Sequence, residues 1–478
     1  MNIYKIFFLL QINFHLFKTQ KLISVFTLNR HGARAPIKLN NNSKDYFGNF
    51  WPNKGKLTPY GERMLYILGM YHRYKYLNNE QFLNKTCDPH DIYFFSSDFD
   101  RTIMSAQSEI LGLCSNSFNY KVIDKNLVNL TYPPISFLND MKNEINNLNN
   151  EKFSLPNSIN LLPIHISNED EGKFLITMAF KCKSVYKKLL KHNLENNKIL
   201  IEEEKKFNNL YKSIFNKLNN ENKYYKYDEI FYITDQYMTS LYDGRNINEI
   251  LIKNNINPDD FFKLANKIHY YYILYLAFGD EKGEGYKLEV SLLLKDIIKH
   301  FKNIVHSDII GDNKGRINFT NPKFMIGVAH DSTIMGIQLF INEVFKLFDN
   351  IYSNVIDISY AGSMTFELYR DGKDKKILDP SNYYIDYFIN EKLIKRFSFN
   401  NFINIINNTI WNEDKINEYC SVENYILQRE VTILKNIILV LIGIIVICVL
   451  LLYNNKKKVP LRRGSRKDSK REKFIPKV

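Results

Sequence analysis

Three short stretches hold the residues best able to do chemistry: Arg30-His31-Gly32-Ala33-Arg34-Ala35-Pro36, Ser97-Asp98-Phe99-Asp100-Arg101, and His330-Asp331-Ser332-Thr333. An imidazole set between guanidiniums suits a phosphoryl group, because Arg presents a planar fork of donors matched to phosphate oxygens. Arg30, Arg34 and Arg101 would neutralise the phosphoryl oxygens and stabilise the charge of the transition state. His31 would attack phosphorus as a neutral imidazole, kept neutral by the positive charge around it. Asp331 would protonate the leaving alkoxide and then act as base for the water that cleaves the phosphohistidine. His330 would hydrogen-bond to the phosphate and help set its geometry. Each stretch alone is weak evidence, since a lone His is usually structural and an Asp after a strand is usually a helix cap. Three such loops at one sheet edge are harder to read as coincidence.

The elements that must position these residues are legible. Residues 22–28, Leu-Ile-Ser-Val-Phe-Thr-Leu, read as a buried strand delivering Arg30 and His31 at its carboxyl end, where open α/β sheets bind ligands. Residues 92–97 form a second strand, followed by a helix over 102–113 with Asp100 as its N-cap. Residues 324–329 form a third, followed by a helix carrying Ile334, Ile337, Leu339 and Phe340. A fourth strand is expected at 363–369. Strands alternating with helices predict an α/β fold: a mostly parallel central sheet with helices on both faces. Between about 125 and 287 strand signals fade, and charged, helix-favouring segments such as 201–206 and 262–276 predict an all-helical cap. Residues 191–226, rich in Lys, Asn and Glu, read as an exposed helix pair or loop.

The chain has 478 residues, long enough for two domains or one elaborated domain, and its formal net charge of +14 is uneven. Residues 454–478 contribute +9, from eleven Lys/Arg against two acidic side chains, which leaves about +5 for the rest. Residues 437–452 carry no charged side chain, and with 431–434 they make a long apolar segment broken by Lys435 and Asn436. Lys456-Lys457-Lys458 and Arg462-Arg463 follow at once. This is a stop-transfer pattern, predicting a membrane helix over 431–453 with Lys435 snorkelling, and a basic cytoplasmic tail over 454–478. A buried core helix is the plainer alternative. A nucleic-acid-binding tail is argued against by the span before it, so no nucleic-acid partner is expected. Residues 1–20 resemble a signal peptide or an N-terminal anchor, without a small-x-small cleavage site. The two ends predict a single-pass type I membrane protein with its body, residues 21–425, in a lumen or outside the cell.

Of five cysteines, Cys448 falls in the apolar span. Cys87, Cys114, Cys182 and Cys420 permit two disulfides in an oxidising lumen, with three possible pairings. Glycosylation sequons stand at Asn41, Asn84, Asn129, Asn318 and Asn407, in a chain so rich in Asn that they arise readily by chance.

Arg30-His31-Gly32-x-Arg34-x-Pro36, Ser97-Asp98-x-Asp100-Arg101-Thr102-x-Met104-Ser105-Ala106 and His330-Asp331 resemble the three motifs of the histidine acid phosphatases, branch 2 of the phosphoglycerate-mutase-like superfamily. Leu57-Thr58-Pro59-x-Gly61 resembles the family's segment between the first two motifs, and Pro163-x-His165 with Cys182 its cap entry. The match runs from about residue 22 to 420. The resemblance implies an acid phosphatase acting through a phosphohistidine on His31, with phosphate held by Arg30, Arg34, Arg101 and His330 and with Asp331 as proton donor. It implies no metal or other cofactor, an acidic optimum, a Cys182–Cys420 bridge that leaves Cys87–Cys114 as a second, and a homodimer as one assembly. Membrane-anchored members of lysosomal and prostatic type reach lysosome-like compartments, and the span and tail here resemble that arrangement.

Ala33 and Ala35 stand where many relatives carry polar residues, at variable places in the motif. The third motif is His-Asp rather than His-Ala-Glu, which favours general acid phosphatases and phytases over multiple inositol polyphosphate phosphatases. A phytase-like or lysophosphatidic acid phosphatase is the rival of the same fold. A non-catalytic membrane ectodomain is the rival of another class, and it predicts decay of a charged set that is here intact.

Overall fold

The computed structural model describes residues 20–40, 42–80, 82–83, 87–114, 161–167, 194–220, 222–277, 285–311, 321–347, 358–371, 378–418, 420, 437–438 and 440–447. Within Met1–Asn417, which forms one compact unit, a seven-stranded sheet runs in the order β3-β2-β4-β1-β5-β6-β7. The strands are β1 (Gln20–Arg30), β2 (Ile92–Ser97), β3 (Ile164–Ser167), β4 (Phe324–Ala329), β5 (Ser363–Asp371), β6 (Tyr383–Ile389) and β7 (Lys392–Ser398). The first four in the sheet order are parallel, and β5, β6 and β7 add antiparallel strands beyond β1. The register decides what meets at the edge: Arg30 lies opposite Ala329, and Ser96 opposite Val328. The carboxyl ends of β1, β2 and β4, each bearing one of the three motifs, therefore finish level with one another.

Alternation along the strands feeds two cores. Phe26, Leu28 and Phe95 join one with α7 (Gly285–Ile310), α8 (Asp331–Val344) and α9 (Phe399–Thr409). Val25, Ile92, Phe94, Ile326 and Val328 join the other with α2 (Asp100–Cys114) and with Tyr76 and Leu77, in the wider turns that follow α1 (Pro59–His72). The mixed fold with helices on both faces follows from this. Asp100 stands in the first turn of α2 rather than before it.

The span from 125 to 287 is not wholly helical. Its described part includes β3, which pairs parallel to β2 at the sheet edge. Four residues, Ile-His-Ile-Ser, are too short a run for alternation to stand out. Beyond it come α3 (Lys198–Asn219), α4 (Tyr227–Tyr242), α5 (Ile247–Lys253) and α6 (Pro258–Tyr271), which continues in wider turns over Tyr272–Ala277. Their core of Phe207, Phe215, Ile230, Tyr237, Phe261 and Ile268 also takes in Phe47 from the loop after β1. Strands β6 and β7 were not expected from the sequence. They meet at Asn390-Glu391, both at positive φ, 45° and 61°, a two-residue turn of the hairpin kind without the usual Gly.

Cys87 and Cys114 form a disulfide, tying the segment before β2 to the end of α2. Cys182 lies outside the described residues, and with it the expected Cys182–Cys420 bridge. The second unit is Glu418–Val478. Its residues 437–438 and 440–447 are helical, and their Ile, Leu and Val side chains are between 49% and 62% exposed. Among the described residues no helix is long and apolar enough to cross a membrane; the rest of the expected span, and residues 1–19, lie outside them.

Candidate active site

The loop leaving β1 is tied down on both sides. The His31 N–H donates to the Ala329 carbonyl at 3.0 Å, and Ala361 N–H donates to the His31 carbonyl at 3.3 Å. Gly32 N–H donates to Ser105 Oγ of α2 at 3.1 Å. A Cβ on Gly32 would stand 2.2 Å from the Gly61 carbonyl oxygen, and one on Gly61 would stand 2.1 Å from that of Ala33. Only two glycines allow the loop and the start of α1 to touch. The Thr58 hydroxyl accepts from Gly61 N–H at 3.2 Å as N-cap, and Pro59 begins the helix. That is the physical content of the Leu57-Thr58-Pro59-x-Gly61 segment.

His31 is buried. Its Nδ1 lies 2.8 Å from the Gly32 carbonyl. A carbonyl can only accept, so Nδ1 carries the proton and Nε2 keeps its lone pair. Burial, followed by the charges of Arg101, His330, Arg30 and Arg34, holds this imidazole well below its ordinary pKa. The ring of His330 lies 5.6 Å from that of His31.

Four cationic or polar groups surround the ring, each with its own anchor. Arg30 donates to the Ile358 carbonyl at 2.5 Å and to Asp331 Oδ2 at 2.6 Å, and its guanidinium lies 4.3 Å from the centre of the Tyr360 ring. Arg34 grips Asp235 of α4 through two bonds of 2.8 and 3.3 Å. Burial alone would pull Arg34 down, but the Asp235 carboxylate outweighs it and the net direction is up. Arg101 sits over Phe99 at 4.5 Å and 3.5 Å from His330 Nδ1, with its Nε unpartnered. Burial and then repulsion from Arg34 bring it down to about 10. His330 Nε2 lies 3.1 Å from Ser97 Oγ, and burial, then Arg101, push its pKa to about 3.

Asp331 opens α8. Its Oδ1 accepts from Ser332 N–H at 2.7 Å, and its Oδ2 takes both Arg30 and His269 Nε2, the latter at 2.9 Å. Burial alone would raise this carboxyl, but Arg30, then the His269 hydrogen bond, hold it well below the usual carboxylate range. Behind β1, Asn29 donates to both Glu109 oxygens at 2.9 Å, and His72 lies 2.9 Å from Glu109 Oε1. This buried chain locks α1 and α2, and so Arg101, against the strand carrying Arg30.

All six chemical residues expected from the sequence thus meet in one place. Asp235, His269, Tyr360 and Glu109 join them without having been foreseen. Asp235, His269 and Tyr360 are each a single residue in a helix or loop with no motif around it, and Glu109 follows the second motif on α2 without being part of it, so spacing offered no signal. A cleft of about 360 Å³, open mouth included, lies alongside, lined by Arg30, Asp235, Met238, Tyr242, Asn266, His269, Ser359 and Tyr360. Among the described residues no cluster of His, Cys, Asp and Glu is arranged to hold a metal ion. A buried neutral imidazole among three guanidiniums, with a carboxyl beside it, can do nucleophilic chemistry on a phosphate ester.

Comparison with known proteins gives the same direction. The family model of the histidine phosphatase superfamily (branch 2) matches residues 21–390. The bovine (Bos taurus) prostatic acid phosphatase is 24% identical over 362 residues, covering 74% of this chain and 76% of that protein. The human lysosomal acid phosphatase is 38% identical over 98 residues, a match spanning 20% of this chain and 22% of that protein. Among solved structures, the Hafnia alvei phytase in complex with myo-inositol hexakis sulphate aligns over 82% of this chain and 98% of its own, with a TM-score of 0.50 at 14% identity, a likeness of fold.

Proposed function

This chain belongs to the histidine phosphatase superfamily, branch 2, and on that footing we propose that it is an acid phosphatase hydrolysing phosphate monoesters through a phosphohistidine on His31. The observation that carries this reading is the convergence of Arg30, Arg34, Arg101 and His330 on the His31 ring, all four lowering its proton affinity. Nε2 of His31 attacks phosphorus while the guanidiniums hold the equatorial oxygens. Asp331 gives a proton to the leaving oxygen and recovers one from the attacking water. With Arg30 donating to it, Asp331 is ionised; a substrate dianion that takes over the charge of Arg30 lets the carboxyl accept a proton. The cleft beside Arg30 is lined by Met238, Tyr242 and Tyr360 together with Asn266, Ser359, Asp235 and His269, so a leaving group seated there would meet both apolar rings and polar groups. The test is phosphate release from an aryl phosphate at about pH 5, with acid-quench trapping of phosphohistidine. Wild type is expected to give both and His31→Ala neither; release that survives in His31→Ala ends the reading.

We infer also that residues 431–453 cross a membrane, with the body of 21–425 and its cap of 125–287 lumenal and the tail cytoplasmic. The apolar, exposed side chains of the helical residues at 437–447 support this, since such a surface calls for hydrocarbon or protein around it. The basic run after it gives the orientation. The lysosomal and prostatic names of the relatives favour a lysosome-like or secretory lumen.

A further inference from the structure

We propose that His269, a cap residue outside the three motifs, positions Asp331 and stores the proton that Asp331 delivers. The inference rests on the phosphatase reading above, with Asp331 as acid.

The difficulty it answers is chemical. An acid that protonates a leaving oxygen must itself hold a proton, yet Asp331 sits beneath three donors. Oδ2 takes Arg30 at 2.6 Å and His269 Nε2 at 2.9 Å, while Oδ1 takes the Ser332 N–H. Arg30 never gives up a proton. His269 is the neighbour whose ring Nε2 meets the carboxylate at 2.9 Å and whose imidazole, unlike a guanidinium, exists in both protonated and neutral forms. Its ring is held in place on several sides. It stacks on Phe231 at 5.7 Å and 17°, it is mostly buried with a side-chain exposure of 15%, and it borders the cleft. The groups facing Asp331 are Arg30 of β1, His269 of α6, the Ser332 amide of α8 and the neutral ring of His31. Those at His269 are Asp331, the Phe231 ring of α4 and, across the cleft, Asp235.

A phosphate dianion draws on Arg30 and weakens its hold on Oδ2. The proton on Nε2 of the His269 imidazolium passes to Oδ2, leaving neutral imidazole and a neutral carboxyl. As His31 Nε2 bonds to phosphorus, the bond from phosphorus to the leaving oxygen breaks, and that oxygen takes the Asp331 proton. In the second half, water attacks phosphorus, the P–N bond to His31 breaks, and the proton lost by water goes to Asp331 and back to His269. His269 touches no reacting atom and acts through Asp331.

His269→Gln separates the two roles, because the Gln amide can donate to Oδ2 but cannot carry the extra proton. The substrates are 4-nitrophenyl phosphate, whose leaving group needs little protonation, and an alkyl phosphate, whose leaving group needs it. His269→Gln is expected to lower kcat on the alkyl ester about 100-fold and on the nitrophenyl ester less than about 3-fold. KM stays within about twofold for both, and the alkaline limb of the kcat profile moves. His269→Ala, which loses the hydrogen bond as well, is expected to raise KM too. Equal losses on the two esters, or wild-type kcat on the alkyl ester in His269→Gln, overturn the proposal. A readout without turnover stands beside these: histidine NMR on the full chain, with the His269 signal assigned by its loss in His269→Gln. Inorganic phosphate is expected to shift that signal towards neutral imidazole, and a signal that does not respond also overturns the proposal. Failure of wild type to form phosphohistidine would instead count against the enzyme reading, and the NMR result then judges His269 separately.

Discussion

Asp235, from the helical cap, holds Arg34 of the β1 loop through paired hydrogen bonds of 2.8 and 3.3 Å, with both side chains buried. Helix α4 is therefore part of the anion pocket's framework. The same carboxylate also lies 3.3 Å from the Ile37 N–H, so it fixes the loop backbone as well as the guanidinium.

Replacing Asp235 by Asn leaves Arg34 charged, buried and without its counter-ion. Breaking a buried pair this way costs about 3 kcal/mol. Asp235→Asn should melt lower than wild type, and inorganic phosphate should stabilise the variant more than wild type, because the anion supplies the missing negative charge. Thermal melts with and without phosphate measure both; equal stability of the two proteins would refute it.

Arg101 is built the other way. Among the described residues it forms no ion pair, its Nε has no partner, and burial with repulsion from Arg34 brings it down to about 10. Arg101→Lys should therefore cost little stability and much activity, lowering kcat/KM about 100-fold. Steady-state kinetics beside a denaturation curve separate the two effects.

His31 is held neutral far into the acid range. An ordinary imidazole nucleophile would lose activity as pH falls through about 6.5, where it takes up a proton. Here the pKa is lowered, so the nucleophile survives below that value. The expected result is a kcat/KM for 4-nitrophenyl phosphate with no acid limb near pH 6.5, measured across the acid range in constant ionic strength.

His300 of α7 is buried with Nε2 3.0 Å from Ser24 Oγ, and burial pushes its pKa down to about 4. The unfolded imidazole binds a proton near 6.5 and the folded one does not until near 4. The unfolded state thus holds more protons in that window, and stability must fall as pH drops through it. At pH 5 the loss is about 2 kcal/mol. His300→Gln should flatten the stability difference between pH 7 and pH 5 by roughly that amount, as read from urea denaturation at each pH.

The proposed membrane topology is tested on sealed vesicles. Protease added to sealed vesicles should remove an epitope placed on residues 454–478 and spare the body. Digestion of the body with a protected tail would reverse the orientation.

The sequence by itself determined the three motif-bearing strands and the cations at their ends. It did so because a strand buried on both faces must be an unbroken apolar run, and the polar residues after it stand out against that run. Gly32 and Gly61 were visible as parts of motifs, but the reason for them, a backbone contact that excludes any Cβ, needed coordinates. Asp235 and His269 are separated from Arg34 and Asp331 by 201 and 62 positions, and nothing local marks them, since a lone Asp or His on a helix looks like any other. Burial, the pairing of Arg34 with Asp235 and the meeting of Arg30 and His269 on Asp331 Oδ2 arise only when α4 and α6 pack beside the carboxyl ends of β1 and β4. Long-range electrostatics depends on distance in space, which spacing along a chain does not encode.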